Sequence, residues 1–324
     1  MREPRIALPA TISSAALRRC DPRRGVMALT GAGLGTTWRV RFAAPPEHAP
    51  APLHSAIMRR LAMIVAQMSQ WEPASLLSRF NRAPAGTWFA LPEDFATVIA
   101  AALDLAERSA GAFDPTLGRA AALLGYGART CTRPPSPAAL DASHAAAGWT
   151  RLDFDAQSRR LRQPGGLWLD VSGIAKGYAV DAIVALLRGQ GIEDALVEIG
   201  GELRGDGLRP DGQPWWVDIE DPPGCTLRPL RIALHGLAVA TSGDYVRGAH
   251  TLDPRTGRPL APDIVAATVV HDSTMLADGW ATALTVAGSH AAIALADTLG
   301  LSARIVTRNG HDRLSRGLSA MIDE

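Results

Sequence analysis

The chain has 324 residues, of which 47% are hydrophobic and 20% are charged, and its formal net charge at pH 7 is +1. This composition is typical of a globular protein with a large core, and the balanced charge argues against a nucleic-acid partner. Three widely spaced cysteines without a C-x-x-C pair argue against a disulfide framework or a zinc site. No uninterrupted apolar stretch reaches the ~18–20 residues of a membrane span. A small molecule or a protein is therefore the expected partner.

The N-terminal part of the chain shows neither a signal peptide nor a lipoprotein box, because no apolar run precedes its cluster of arginines. We therefore expect a cytoplasmic protein, with a periplasmic location as the alternative if the start of translation is misassigned. Residues 1–28 lack hydrophobic periodicity and are expected to be a flexible lead-in. Residues 29–324 are expected to form the functional domain, with room for two subdomains.

Apolar periodicity predicts strands and helices in mixed order along the chain. Helices are predicted at about 52–70, 92–109, 274–286 and 290–299. Strands are predicted at 38–42, 195–199, 215–219, 230–234, 264–270 and 303–307, with a hairpin over 152–161. The two types do not alternate strictly, so we predict an α+β fold with mixed or antiparallel sheets and packed helices.

The centre of the chain is a stretch that changes from a predicted strand, 167–169, to a predicted helix. Gly173 and Gly177 bracket the turn between them. Backbone N–H groups left free at a helix start attract anions, Lys176 adds a cation, and Asp170 stands beside it. This stretch is either a phosphate site or an ordinary turn with a solvated lysine.

Asp278 and Thr282 stand four residues apart in a predicted helix, so their oxygens share one face. A carboxylate and a hydroxyl in this arrangement suit a hard cation such as Mg²⁺. The alternative is a solvated Asp278 and a Thr282 that bonds to its own turn.

Another candidate is His250, which lies in a turn three residues before Asp253. Its imidazole can act as a general base, or it can be a surface histidine. Gly200 and Gly201 follow a predicted buried strand and fit either a ligand or a turn. The sequence holds no dinucleotide-binding or P-loop glycine motif.

These pieces occur together in one order, and the ordered set resembles the ApbE family of FAD:protein FMN transferases. The matching residues run from about Gly33 to Gly288. They are Gly35-Thr36, Met68-Ser69-x-Trp71-x-Pro73-x-Ser75-x-Leu77-Ser78-Arg79-Phe80-Asn81, Phe113-Asp114-Pro115-Thr116, Asp170-x-x-Gly173-Ile174-Ala175-Lys176-Gly177-Tyr178-Ala179-x-Asp181, Gly200-Gly201, Ser242-Gly243-Asp244-Tyr245, His250-x-x-Asp253-Pro254-x-Thr256-Gly257-x-Pro259 and Ala277-Asp278-x-x-x-Thr282-Ala283.

The resemblance implies an ApbE-like fold that binds FAD as substrate and Mg²⁺ as metal ion. It also implies transfer of FMN from FAD to a Ser or Thr in the flavinylation motif of an acceptor flavoprotein, with release of AMP. The metal site would comprise the carbonyl of Gly173 with Asp278 and Thr282, and His250 would take the proton of the acceptor hydroxyl. The implied FAD contacts are Leu34, Trp71, Ala112, Phe113, Asp114, Asp170, Lys176 and Leu252.

Two positions depart from the family's usual residues. Leu34 stands where a methionine is usual, and Trp71 stands where a tyrosine is frequent, which keeps an aromatic ring but loses a hydroxyl. Two other functions stay open at this point. A Mg²⁺-dependent FAD pyrophosphatase would release FMN and AMP, and an FAD-binding protein would turn nothing over.

Overall fold

The structure is a computed structural model that describes residues 3–45, 49–127, 134–243, 250–261 and 263–323. These residues form two compact units. Unit 1 comprises Met1–Leu61, Lys176–Tyr245 and Asp263–Glu324, and unit 2 comprises Ala62–Ala175 and Val246–Pro262. Of the motifs named above, Asp244-Tyr245 lies outside the described residues.

Helices and strands alternate irregularly along the described residues, as an α+β fold requires. The strands are β1 (Arg5–Ala7), β2 (Gly25–Gly33), β3 (Thr36–Ala44), β4 (Trp88–Ala90), β5 (Asp153–Asp155), β6 (Arg160–Arg162), β7 (Ala195–Ile199), β8 (Glu202–Asp206), β9 (Trp215–Ile219), β10 (Leu230–Leu234), β11 (Leu237–Gly243), β12 (Leu252–Asp253), β13 (Arg258–Pro259), β14 (Ile264–His271), β15 (Ser302–Thr307), β16 (Asp312–Leu314) and β17 (Ile322–Asp323). The helices are α1 (Ser14–Arg19), α2 (Pro50–Met68), α3 (Leu76–Arg82), α4 (Glu93–Arg108), α5 (Gly118–Leu123), α6 (Pro137–Ala146), α7 (Ser172–Gly189), α8 (Thr274–Leu299) and α9 (Arg316–Ser319), with a 3₁₀ turn at Trp149–Arg151.

Unit 1 is built on two sheets. The larger sheet has eight strands in the order β16-β15-β14-β11-β8-β7-β3-β2, all antiparallel to their neighbours. The smaller sheet has the order β17-β1-β10-β9, and its β1–β10 pair is parallel. Apolar side chains from both sheets share one core, which includes Leu196, Trp215, Ile232, Val239 and Val270. The predicted α+β class with mixed and antiparallel sheets is therefore confirmed.

The N-terminal stretch differs from the expected lead-in, because β1, α1 and the first residues of β2 give it regular structure. Strand β1 runs parallel to β10, with Arg5 opposite Leu230 and Ala7 opposite Ile232. A three-residue strand is too short to show an alternating pattern, and its partner lies far away along the chain. For these reasons local periodicity could not reveal it.

Helix α8 is long and apolar enough to pass as a membrane span, with a mean hydropathy of 1.2 over an 18-residue window. Its backbone is broken at Gly288 (φ 79°, ψ 160°), which agrees with the two helices predicted here. The helix packs against β11 and β14, and Trp280, Leu284 and Ala292 on it are buried. Helix α8 is therefore apolar because it is a core helix of unit 1.

Unit 2 contains helices α3 to α6, the antiparallel sheet β4-β6-β5 and the hairpin β12–β13. Helix α4 matches its prediction, and Phe95, Ile99 and Leu105 on its apolar face are fully buried. The strand predicted at 167–169 is wrong, because only a single bridge joins Trp168 to Leu117. The amide of Asn81 bonds both backbone groups of Leu169 instead, at 2.7 and 3.0 Å.

Candidate functional site

Helices α7 and α8 pack closely where α8 begins, and Gly177 makes this approach feasible. A Cβ on Gly177 would overlap the carbonyl oxygen of Thr274. One turn later in α7, the carboxylate of Asp181 accepts the backbone N–H groups of Thr274 at 3.1 Å and Met275 at 3.0 Å. The carboxylate thus satisfies N–H groups that a helix start leaves without partners. These contacts fix the start of α8 against α7.

Asp278 lies in the second turn of α8, and its side chain is buried against α7. The backbone N–H of Gly177 donates a hydrogen bond of 3.0 Å to its Oδ2. Burial raises the pKa of the Asp278 carboxyl, while the charge of Lys176 and the Gly177 N–H act in the opposite direction. A buried carboxylate of this kind gains from a cation beside it.

Lys176 precedes Gly177 in α7 and forms an ion pair with Glu202, at the start of β8. The Glu202 side chain is 3% exposed. Its Oε1 meets the Lys176 ammonium, whereas its Oε2 has no hydrogen-bond partner among the described residues. Burial and the nearby charge of Asp278 raise the pKa of Glu202 to about 7, although Lys176 opposes this shift.

Sequence reasoning missed Glu202 as a member of this cluster. The signal was present, since Glu202 follows directly on Gly200 and Gly201 after the buried strand β7. Only the glycines were interpreted, because the sequence does not show that β8 lies beside β7 and faces α7. The half-buried Lys176 and the buried Glu202 and Asp278 form one polar cluster, which we call the carboxylate–lysine cluster.

Two other predicted residues belong to unit 1. Thr282 is half-buried and follows Asp278 by one helical turn in α8. Leu34 and Gly35 form the two-residue turn between β2 and β3, and both have left-handed backbones with φ of 54° and 72°. Such turns match the twist of a hairpin, so the turn holds Leu34 in a conformation that favours glycine or asparagine.

In unit 2, Asp114 is held by hydrogen bonds within its own loop. It accepts the N–H of Thr116 at 2.8 Å and its hydroxyl at 2.6 Å, and also the N–H of Trp149 at 3.2 Å. Burial raises the pKa of Asp114 despite these bonds. The loop begins after Ala110 and Gly111, whose left-handed backbones end α4. Within this loop, Ala112 is half-buried and Phe113 is buried.

In unit 2, Gln70 connects Asp170 with Trp71, because its side chain bonds Asp170 and Trp71 is the next residue in the sequence. The Oδ1 of Asp170 accepts hydrogen bonds from Gln70 Nε2 at 3.3 Å and from the Ser172 N–H at 2.9 Å. Trp71 adjoins Gln70 in the sequence and is 52% exposed. Gly173 lies in the first turn of α7.

The N–H groups expected to be free at the start of α7 are in part occupied. Asp170 accepts that of Ser172, and Asp278 accepts that of Gly177. The helix begins at Ser172 and not after Gly173, so Gly177 already lies inside it. Two N–H groups of this stretch are thus satisfied within the chain, and the charged side chains here are Asp170, Lys176 and Asp278.

The last two predicted residues lie near the hairpin β12–β13. Leu252 is buried and packs with Leu117, Ala120 and Ala121 of the α5 region. His250 is half-buried and stands two residues before Leu252. The predicted residues therefore divide between the units. Leu34, Lys176, Asp278 and Thr282 lie in unit 1, and Trp71, Ala112, Phe113, Asp114, Asp170, Gly173, His250 and Leu252 lie in unit 2.

These features define the class: an α+β protein with a buried carboxylate–lysine cluster where two helices begin. Residues 34–305 match the model of the ApbE family. The match spans most of the 324 residues, and the chain belongs to the ApbE family. The resemblance seen in the sequence motifs is thereby confirmed.

Relatives and solved structures support this assignment across nearly the whole chain. The FAD:protein FMN transferase of Vibrio cholerae serotype O1 is 37% identical over 303 residues, which cover 90% of each chain. That of Haemophilus influenzae is 31% identical and covers 97% of this chain and 95% of its own. The crystal structure of the Pseudomonas stutzeri flavinyl transferase ApbE in its apo form superposes with a TM-score of 0.85 at 35% identity, covering 93% of this chain and 99% of that one.

Proposed function

We propose that this protein is an FAD:protein FMN transferase. It transfers FMN from FAD to the hydroxyl of a Ser or Thr in an acceptor flavoprotein and releases AMP, with Mg²⁺ as its metal ion. Full-length similarity to relatives that bear this name supports the reaction. The observation that carries the proposal is the carboxylate–lysine cluster, because it offers oxygen ligands to a cation and an ammonium to phosphate.

The chemistry of the proposed ligands fits Mg²⁺. Asp278 supplies a buried carboxylate whose pKa is raised by burial, Thr282 supplies a hydroxyl, and the family resemblance adds the carbonyl of Gly173 as the third proposed ligand. No group of three or more His, Cys, Asp or Glu side chains that could hold a metal is found among the described residues. A site with a single carboxylate is typical of Mg²⁺, which keeps several waters and takes phosphate oxygens. When bound, the ion would stabilise the negative charge that develops on the departing AMP.

The other proposed contacts bind and orient FAD. Lys176 would pair with a phosphate oxygen, which requires its ammonium to be shared with or released from Glu202. Trp71 is exposed enough to stack on the isoalloxazine ring. Asp114 is fixed by Thr116 and Trp149, so its loop presents Phe113 and Ala112 in one arrangement.

His250 would accept the proton of the acceptor hydroxyl. The hydroxyl oxygen forms a bond to the phosphorus of the FMN half, and the phosphoanhydride bond to the AMP half breaks. The proton passes to the imidazole, and AMP leaves with the electron pair of the broken bond. Histidine suits this step because it exchanges a proton near neutral pH.

The test is incubation with FAD and Mg²⁺, with and without candidate acceptor flavoproteins. We expect a fluorescent acceptor band that gains the mass of FMN, one AMP for each FMN transferred, and slow AMP release without acceptor. Rapid AMP release without an acceptor would instead identify an FAD pyrophosphatase. Tight FAD binding without AMP under any condition would identify a binding protein.

A further inference from the structure

Glu202 is the least explained member of the carboxylate–lysine cluster. Its side chain is 3% exposed, and only one of its two oxygens is engaged by Lys176. The other, Oε2, has no hydrogen-bond partner among the residues that the structure describes. A buried polar atom without a partner destabilises the folded protein, and more so when it is charged. A group outside the chain that donates to Oε2 would remove this cost.

The charges around Glu202 indicate which kind of external group can bind at its Oε2. Glu202 contacts Lys176. The next residue of α7, Gly177, donates its backbone N–H to Asp278 at 3.0 Å, so both carboxylates meet the same turn of α7. With Lys176 counted, the cluster carries two carboxylates and one ammonium, and its net charge is −1 when both acids are ionised. A second anion would therefore be repelled at Oε2, whereas a cation or a donor attached to a cation would be attracted.

We propose that Glu202 is an outer carboxylate of the cation site: its Oε2 accepts a hydrogen bond from a water molecule held by the divalent ion, while its Oε1 positions Lys176. This inference rests on the proposed cation site at Asp278. Mg²⁺ gives up its waters reluctantly, so an ion held by a single carboxylate presents water donors. Carboxylates that accept from ligands of a metal ion typically contribute 10–100-fold to its affinity.

A simpler role for Glu202 would be to neutralise Lys176 and nothing more. The two roles predict different effects of Glu202 on cation affinity in a variant that lacks the Lys176 charge. If Glu202 acts on the ion only by holding Lys176 in place, most of its effect on Mn²⁺ affinity is lost once Lys176 is replaced by methionine. If Oε2 faces the bound ion, the effect of Glu202 persists in the Lys176→Met background.

The experiment is titration of the full chain with Mn²⁺, followed by the electron paramagnetic resonance signal of the free ion in the absence of nucleotide. The variants are Glu202→Gln, alone and combined with Lys176→Met, and Asp278→Asn. Glu198→Gln is the matched control, because it removes the same charge from the neighbouring strand β7. Thermal melts verify that each variant is folded.

We expect Glu202→Gln to weaken Mn²⁺ binding about 10–100-fold in both backgrounds, with Glu198→Gln at the wild-type affinity. Unchanged affinity in Glu202→Gln beside lost binding in Asp278→Asn would overturn this inference and leave the cation site intact. An effect that vanishes in the Lys176→Met background would also overturn it. Absence of saturable Mn²⁺ binding to the wild type would overturn the proposed cation site and this inference together.

Discussion

Gly177 of α7 lies against the carbonyl of Thr274 at the start of α8, so closely that a side chain at position 177 would overlap it. The same residue donates its backbone N–H to Asp278, at 3.0 Å. One glycine thus sets both the distance between the helices and the position of the proposed metal ligand.

Replacing Gly177 with alanine is therefore expected to destabilise the protein and to disturb Asp278. The methyl group meets backbone atoms that cannot rotate away, so the helices must separate, at a cost of about 1–3 kcal/mol. Thermal melts and Mn²⁺ titration measure both effects. Gly189→Ala in the same helix is the control, because a Cβ there meets nothing within 4 Å. Equal melting temperatures for the two variants would contradict the close contact.

Lys176→Ala is expected to weaken FAD binding without unfolding the protein. A charge-assisted hydrogen bond to phosphate contributes about 1.5–3 kcal/mol, which corresponds to roughly 10–100-fold in affinity. Quenching of tryptophan fluorescence by FAD measures the change, and Arg59→Ala, which removes an exposed charge from α2, is the control. Unchanged FAD affinity in Lys176→Ala would place the phosphates elsewhere.

Glu202 predicts a pH dependence of stability in the metal-free protein. Its pKa is raised from 4.5 to about 7 by burial and by Asp278, so the folded state binds this proton more tightly than the unfolded chain does. The resulting stability is present below about pH 4.5 and is lost as the pH rises towards 7. Thermal melts across this window should show the wild type losing stability relative to Glu202→Gln. Parallel curves for the two proteins would contradict the raised pKa.

His250→Ala is expected to slow FMN transfer more than it weakens FAD binding. A general base contributes about 10²–10⁴-fold to the rate, whereas a group that only lines the pocket acts on affinity. Single-turnover transfer and FAD titration of the same preparation separate the two effects. Weakened binding with an intact transfer rate would assign His250 to the cofactor pocket.

The sequence predicted those helices and strands whose apolar pattern continues over many consecutive residues. Helix α4 shows an unbroken apolar face, and every residue predicted on that face is buried. Strands β9 and β10 have the predicted bounds, because runs of apolar and β-branched residues end at turn residues on both sides. The motifs also predicted the family correctly, because their order along the chain is far more specific than any one of them.

Features that depend on distant partners could not be predicted in this way. Strand β1 forms because it pairs with β10 and β17. The segment at Leu169 is fixed by the side-chain amide of Asn81 instead of by a sheet. Glu202 is buried only because β8 is an inner strand of the large sheet. Its raised pKa, and the lack of a partner for its Oε2 among the described residues, follow from that placement, which spacing along the chain does not encode.

The most direct test of the account is FMN transfer by Asp278→Ala. Purified wild type and variant are incubated with FAD, Mg²⁺ and an acceptor flavoprotein that the wild type labels, and the mass of the acceptor is followed over time. We predict that the variant keeps its fold in a thermal melt. Burying the Asp278 carboxylate is unfavourable, so its removal relieves that cost. Its acceptor should gain almost no FMN, because Thr282 and one carbonyl are too few ligands for a hard divalent ion. An Asp278→Ala protein that labels the acceptor at nearly the wild-type rate would contradict the account.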